Sequence, residues 1–116
     1  MTDEELSYEL EKQADEQFIH MIRLLAETVD KRCFKYGGLR YMDVPLLNKV
    51  LHLLMVYNDI KTLSQLAEAT NLSFATLNRM MNHKQETTVH RKSIDKVLSY
   101  MYQTANEYEE NLKIKA

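Results

Sequence analysis

Helix breakers are nearly missing from this sequence: two glycines, adjacent at positions 37 and 38, and a single proline at 45. With so few of them, and with many Leu, Glu, Lys, Ala, Gln and Met residues, the chain is expected to be all-α. Cysteine occurs once, at Cys33. That excludes an internal disulfide and suits a reducing cytoplasm, and in an apolar helix such a cysteine reads as a small core residue. No apolar run approaches the ~18 residues of a membrane span, and no basic start followed by an apolar stretch marks a signal peptide. A soluble, cytoplasmic protein is therefore expected. The histidines His20, His52, His83 and His90 keep no metal-ligand spacing with one another or with Cys33, so no metal is expected. There is no Ser/His/Asp or Cys/His arrangement and no phosphate loop, and the carboxylates near the start have no nucleophile beside them. Neither enzymatic activity nor a cofactor is expected. A net charge of −2 gives no global pull toward nucleic acid.

What is present is an ordinary supply of apolar residues, 45% of 116, enough for a core. The length allows one domain, or one domain with an extension. Charge divides the chain. Residues 1–43 hold six Lys/Arg against ten Asp/Glu, whereas residues 44–116 hold nine against seven. The first part reads as an acidic amphipathic helix and connector, a dimerisation or regulatory extension. The second reads as a separate unit able to face phosphates.

The apolar residues of the first part, Leu6, Leu10, Ala14, Phe18, Met21, Ile22, Leu25, Ala26, Val29 and Cys33, are spaced mostly by three and four. That spacing predicts one long helix from Met1 to about Tyr36, capped by Thr2 and ended by Gly37-Gly38. Leu39 to Val44 reads as a connector. A second helix starts at Asp43 or Val44 with Pro45 in its first turn. It carries Leu46, Leu47, Val50, Leu51, Leu54 and Met55, and is expected to be the most buried. After a polar stretch from Asn82 to Thr88, the residues Ile94, Leu98, Met101, Ala105, Tyr108 and Leu112 form a heptad-like seam.

Between these helices lies Leu63 to Met81. Thr62 caps a helix running to Thr70, and Ser73 caps another from Phe74 to Met81 or Asn82. Ala67 is small enough for a close crossing. Asn71 sits in the turn, where a left-handed residue is wanted. Leu72 plugs the space between the helices, and Leu77 and Met80 face back onto Leu66. This is the layout of a helix-turn-helix.

In Leu66-Ala67, Asn71, Leu72-Ser73, Thr76-Leu77 and Met80, residues 44–99 resemble the lambda-repressor/Cro-type (XRE-like) helix-turn-helix family. The spacing of the family motif is kept. Asn71 stands where the family has glycine, and Leu63 where it commonly has a glutamine that helps hold a phosphate. The resemblance covers about half the chain. It implies a bundle of about five or six helices, with a long N-terminal and a C-terminal helix around the motif. It also implies sequence-specific binding to double-stranded DNA by a transcriptional regulator, with repression the expected sign, acting as a homodimer on a two-fold operator.

The outward residues would be Ser73, Phe74, Ala75, Asn78, Arg79 and Asn82. Asn78 suits adenine and Arg79 guanine, each through two hydrogen bonds. Phe74 and Ala75 suit thymine methyls, although Phe74 is equally a candidate core staple. Ser73 and Thr76 suit phosphates, as do His83, Lys84, Arg91 and Lys92 downstream. The surplus seams of the N- and C-terminal helices are the dimerisation candidates. The alternative is a protein-interaction module on the same scaffold, such as an antirepressor, an antitoxin or an inhibitor of another DNA-binding protein. The acidic N-terminal helix favours it, and could itself receive a protein partner.

Overall fold

The structure is a computed structural model that describes residues 1–82 and 87–115. Among these the chain forms five helices and three short strands: α1 (Asp3–Arg32), β1 (Lys35–Tyr36), β2 (Leu39–Tyr41), α2 (Val44–Tyr57), α3 (Leu63–Thr70), α4 (Phe74–Asn82), β3 (Thr88–His90) and α5 (Arg91–Lys115). The fold is largely helical, but the all-α expectation is corrected by an antiparallel sheet in the order β1-β2-β3.

The sheet arises where the long first helix stops early. Thr2 caps α1 as expected, its hydroxyl accepting from the Glu5 N–H. The other end falls at Arg32 instead of near Tyr36. The cause is Arg40. Its Nη2 donates to the Asp30 carbonyl at 2.8 Å and its Nε to the Cys33 carbonyl at 2.9 Å. A side chain thus takes two carbonyl groups that the end of a helix leaves unpaired. The Gly37-Gly38 pair is then the loop of a two-residue hairpin, not a helix cap. Tyr36 pairs with Leu39, and Gly37 takes φ +60°, the sign that tight hairpin turns require. β2 next pairs with β3, so that Arg40 stands opposite Val89 and both point inward.

The following three helices form where the sequence puts them. Asp43 caps α2, accepting from Leu46 N–H, with Pro45 in the first turn. Thr62 accepts from Gln65 N–H at the start of α3. Asn71 closes α3 in the left-handed conformation, φ 58° and ψ 36°. Leu72 follows into the core, and Ser73 accepts from Thr76 N–H to open α4. α2 buries Val44, Leu46, Leu47, Val50, Leu51 and Leu54, but not its whole circumference: Val56 remains 74% exposed.

α1 and α5 run antiparallel. Arg23 reaches Glu109 and Asn106 at one end of the contact, and Asp30 and Asp95 share Arg40 at the other. Phe18, Ile22, Ala26 and Val29 of α1 and Ile94, Val97, Met101 and Ala105 of α5 belong to one core with α2, Leu66, Leu77 and Met80. Phe18 stacks on Tyr57 with ring centroids 3.7 Å apart. Tyr108 leans on both and donates its hydroxyl to the Tyr57 carbonyl. Asn58, just past α2, donates to Thr104 on α5 at 3.0 Å. No helix among the described residues is long and apolar enough to cross a membrane.

Candidate nucleic-acid interface

α4 is strongly two-sided. Leu77, Met80 and Met81 are buried against the core, so the opposite face must meet solvent. That face carries Ser73, Phe74, Ala75, Asn78 and Asn82, all exposed. Phe74 is 53% exposed and so is not a core staple. Thr76 is half-buried, with its hydroxyl accepting from Ser73 at 2.8 Å, while Asn78 and Asn82 bond to each other one turn apart. The first two turns of α4, with Ser73 before them, therefore offer a hydroxyl, an aromatic ring and a carboxamide to anything that approaches. α4 contains no carboxylate, and α3 contains only Glu68. The helix N-terminus adds its own partial positive charge.

Arg79 is placed differently from the rest. Its Nη2 donates to Thr87 Oγ1 at 3.0 Å and to the Thr88 carbonyl at 2.6 Å, and the side chain is half-buried. The Thr88 carbonyl lies on β3, an edge strand, so Arg79 ties the last turn of α4 to the sheet. Reading a base would require breaking those two bonds. Arg91 and Lys92 are exposed at the start of α5, which His90 opens by accepting from Lys92 N–H. One turn later Lys96 donates to the Asn71 carbonyl at 2.9 Å, pinning the α3–α4 turn to α5. Lys92, Lys96 and Asn71 line a shallow groove between α3 and α5 of about 430 Å³. His83 and Lys84 lie outside the described residues.

Two features escaped the sequence reading. The first is Arg40, 1% exposed, which also pairs with Asp30 at 2.8 Å and Asp95 at 3.2 Å. The hydrogen bond from Arg40 holds the Asp30 carboxyl below its ordinary range, the charges of Arg40, Lys35 and Lys31 adding to it against a smaller opposing effect of burial. Nearby, burial pushes the Cys33 thiol up, which makes it a poor nucleophile. The second is the outer face of the sheet, which exposes Tyr36, Leu39 and Tyr41, with Phe34 just before it. Tyr36 and Tyr41 contact each other at 5.7 Å between centroids. The available signal was Gly-Gly flanked by Phe34-Lys35-Tyr36 and Leu39-Arg40-Tyr41, an aromatic-rich hairpin pattern.

Among the described residues no group of three or more His, Cys, Asp or Glu side chains is arranged to hold a metal ion. Comparison with known proteins gives no match to a protein-family model, a curated protein or a solved structure.

Proposed function

We propose that the chain is a sequence-specific double-stranded DNA-binding protein, a transcriptional regulator with repression as the expected outcome, in which α3, the turn at Asn71–Ser73 and α4 act as a helix-turn-helix. The observation that carries this reading is the exposed, carboxylate-free first turn of α4, held on a buried apolar back. A helix presented in this way fits a major groove, with its N-terminal residues at base edges. Asn78 then reads adenine, and Phe74 and Ala75 meet thymine methyls. Ser73, Thr76, Arg91 and Lys92 hold phosphates. Arg79 braces α4 against β3, as a positioning residue. One such module covers little DNA, so two copies on a two-fold site are expected.

Selection of bound sequences from random duplex DNA tests the proposal, and enrichment of a two-fold symmetric site is the expected outcome. Binding to that site should weaken steeply with salt, by roughly 0.9 in log–log slope for each phosphate neutralised. Asn78→Ala should cost about 1–3 kcal/mol on the selected site and little on random duplex. No enrichment at any salt would overturn the reading.

One observation favours a second reading, that of a protein-interaction module. Seven of the first sixteen residues are acidic and only Lys12 opposes them. Such a surface repels phosphates and suits a basic partner, as an inhibitor of another DNA-binding protein would need. Under that reading no duplex sequence is enriched.

A further inference from the structure

The long helix α1 has two apolar faces, and the molecule uses only one. Phe18, Ile22, Ala26 and Val29 turn inward. Leu6, Leu10, Ala14, Met21 and Leu24 follow steps of four, four, seven and three, and every one of them is exposed. At 3.6 residues per turn this second stripe lies about 120° round the helix from the first. Leu10 is 55% and Leu24 51% exposed, so the stripe spans both the part of α1 that packs on α5 and the part beyond it. Every residue from Met1 to Ala14 is exposed. Three helical turns exposed on every side are marginal in water, which leaves this segment in need of cover.

We propose that the stripe pairs with α1 of a second copy of this chain, the two helices running antiparallel. Charge decides both the occupant and the direction. The N-terminal half of α1 carries Asp3, Glu4, Glu5, Glu9, Glu11, Asp15 and Glu16, whereas its last turn carries exposed Lys31 and Arg32. An antiparallel pair turns the acidic start of each helix toward the basic end of the other, with Asp3 about one turn from the partner's Lys31, and opposes their dipoles. A parallel pair would set each Glu9 beside its own copy, whereas the antiparallel pair sets it beside the partner's Met21. The stripe is centred near residue 15. A two-fold axis there brings Leu6 to the partner's Leu24 and Leu10 to the partner's Met21, with the small Ala14 allowing close approach where the helices cross. The seam of α5 cannot compete, because Ile94, Met101 and Ala105 are already buried inside the chain.

The pairing deepens the two-copy element of the function proposed above, but its test uses the full chain without nucleic acid. A failure here would remove the dimer and leave the DNA reading of α4 to stand or fall on the selection experiment. Sedimentation equilibrium should show a dimer at micromolar concentration. Leu10→Glu should raise its dissociation constant by about 100-fold or more, since it buries an unpaired charge. Circular dichroism should stay unchanged, because Leu10 lies outside the core of its own chain. Direction is read by mixing Leu6→Cys chains with Leu24→Cys chains under mild oxidation. A cross-link between position 6 of one chain and position 24 of the other is expected. A chain that stays monomeric, a dimer indifferent to Leu10→Glu, or cross-links confined to 6 with 6 would each overturn the proposal.

Discussion

The two long helices treat their apolar residues in opposite ways. α5 turns the whole seam Ile94, Leu98, Met101, Ala105, Tyr108 and Leu112 toward the core, whereas α1 turns in only the residues after Ala14. Both patterns have helical period, and both would be written down as amphipathic. The difference lies in what faces them. α5 lies against α1, α3 and the sheet, but α1 runs on past the body that covers its second half. Periodicity fixes which residues share a face, and only the surrounding chain decides whether that face has a neighbour.

Substitutions on the two faces of α1 should separate a working surface from an idle one. Phe18→Ala removes the ring stacked on Tyr57 and should cost about 3–5 kcal/mol in urea denaturation. A loss near zero would mean that the inward half of α1 is as idle as the outer one. Arg40→Ala unhooks the end of α1 from the start of α5 and should cost about 3 kcal/mol, the cost of breaking a buried pair. Arg40→Met should lose less, because it keeps the volume. If both lose equally, it is the charge and not the packing that joins the helices.

Asp30→Asn tests the same junction by pH. The folded-state pKa of Asp30 lies below its ordinary value, so its contribution is complete above about pH 4 and disappears as pH falls through the lowered value. The wild-type chain should therefore lose stability on acidification below that point, and the variant should show a flatter acid limb. An unchanged limb would show that Arg40 does not hold Asp30 in solution. The smallest effect is expected from Leu10→Ala. At concentrations where the chain is a single copy it should stay within about 0.5 kcal/mol of wild type, as surface changes do.

Much of this architecture was readable from local chemistry. Thr2, Asp43, Thr62 and Ser73 each cap the helix that follows, and Asn71 takes the left-handed turn, because a cap needs only the neighbouring N–H groups. The outward position of Ser73, Ala75, Asn78 and Asn82 was readable for the same reason: the apolar face of α4 defines its opposite. The sheet was not readable in the same way. β2 is held on one side by β3, about fifty residues away, and Lys35 and Tyr36, which pair locally with β2, continue a helical pattern until Arg40 stops it. Arg79 illustrates the other limit. Its spacing puts it near the outer face of α4, but the groups it binds, Thr87 and Thr88, come from a different element.

The antiparallel seating of α1 on α5 also has a meaning for the chain while it is being made. Arg23 and Glu109 are 86 residues apart, and the two aspartates that share Arg40, Asp30 and Asp95, are 65 apart. At about 5–20 residues per second, α1 waits roughly 4 to 17 s after leaving the ribosome before α5 follows it. During that interval Phe18 can meet Tyr57, made 39 residues after it, but the inward face still lacks the α5 residues Ile94, Val97, Met101 and Ala105. The seven acidic side chains between Asp3 and Glu16 keep the exposed start of that waiting helix highly charged, which disfavours non-specific hydrophobic collapse.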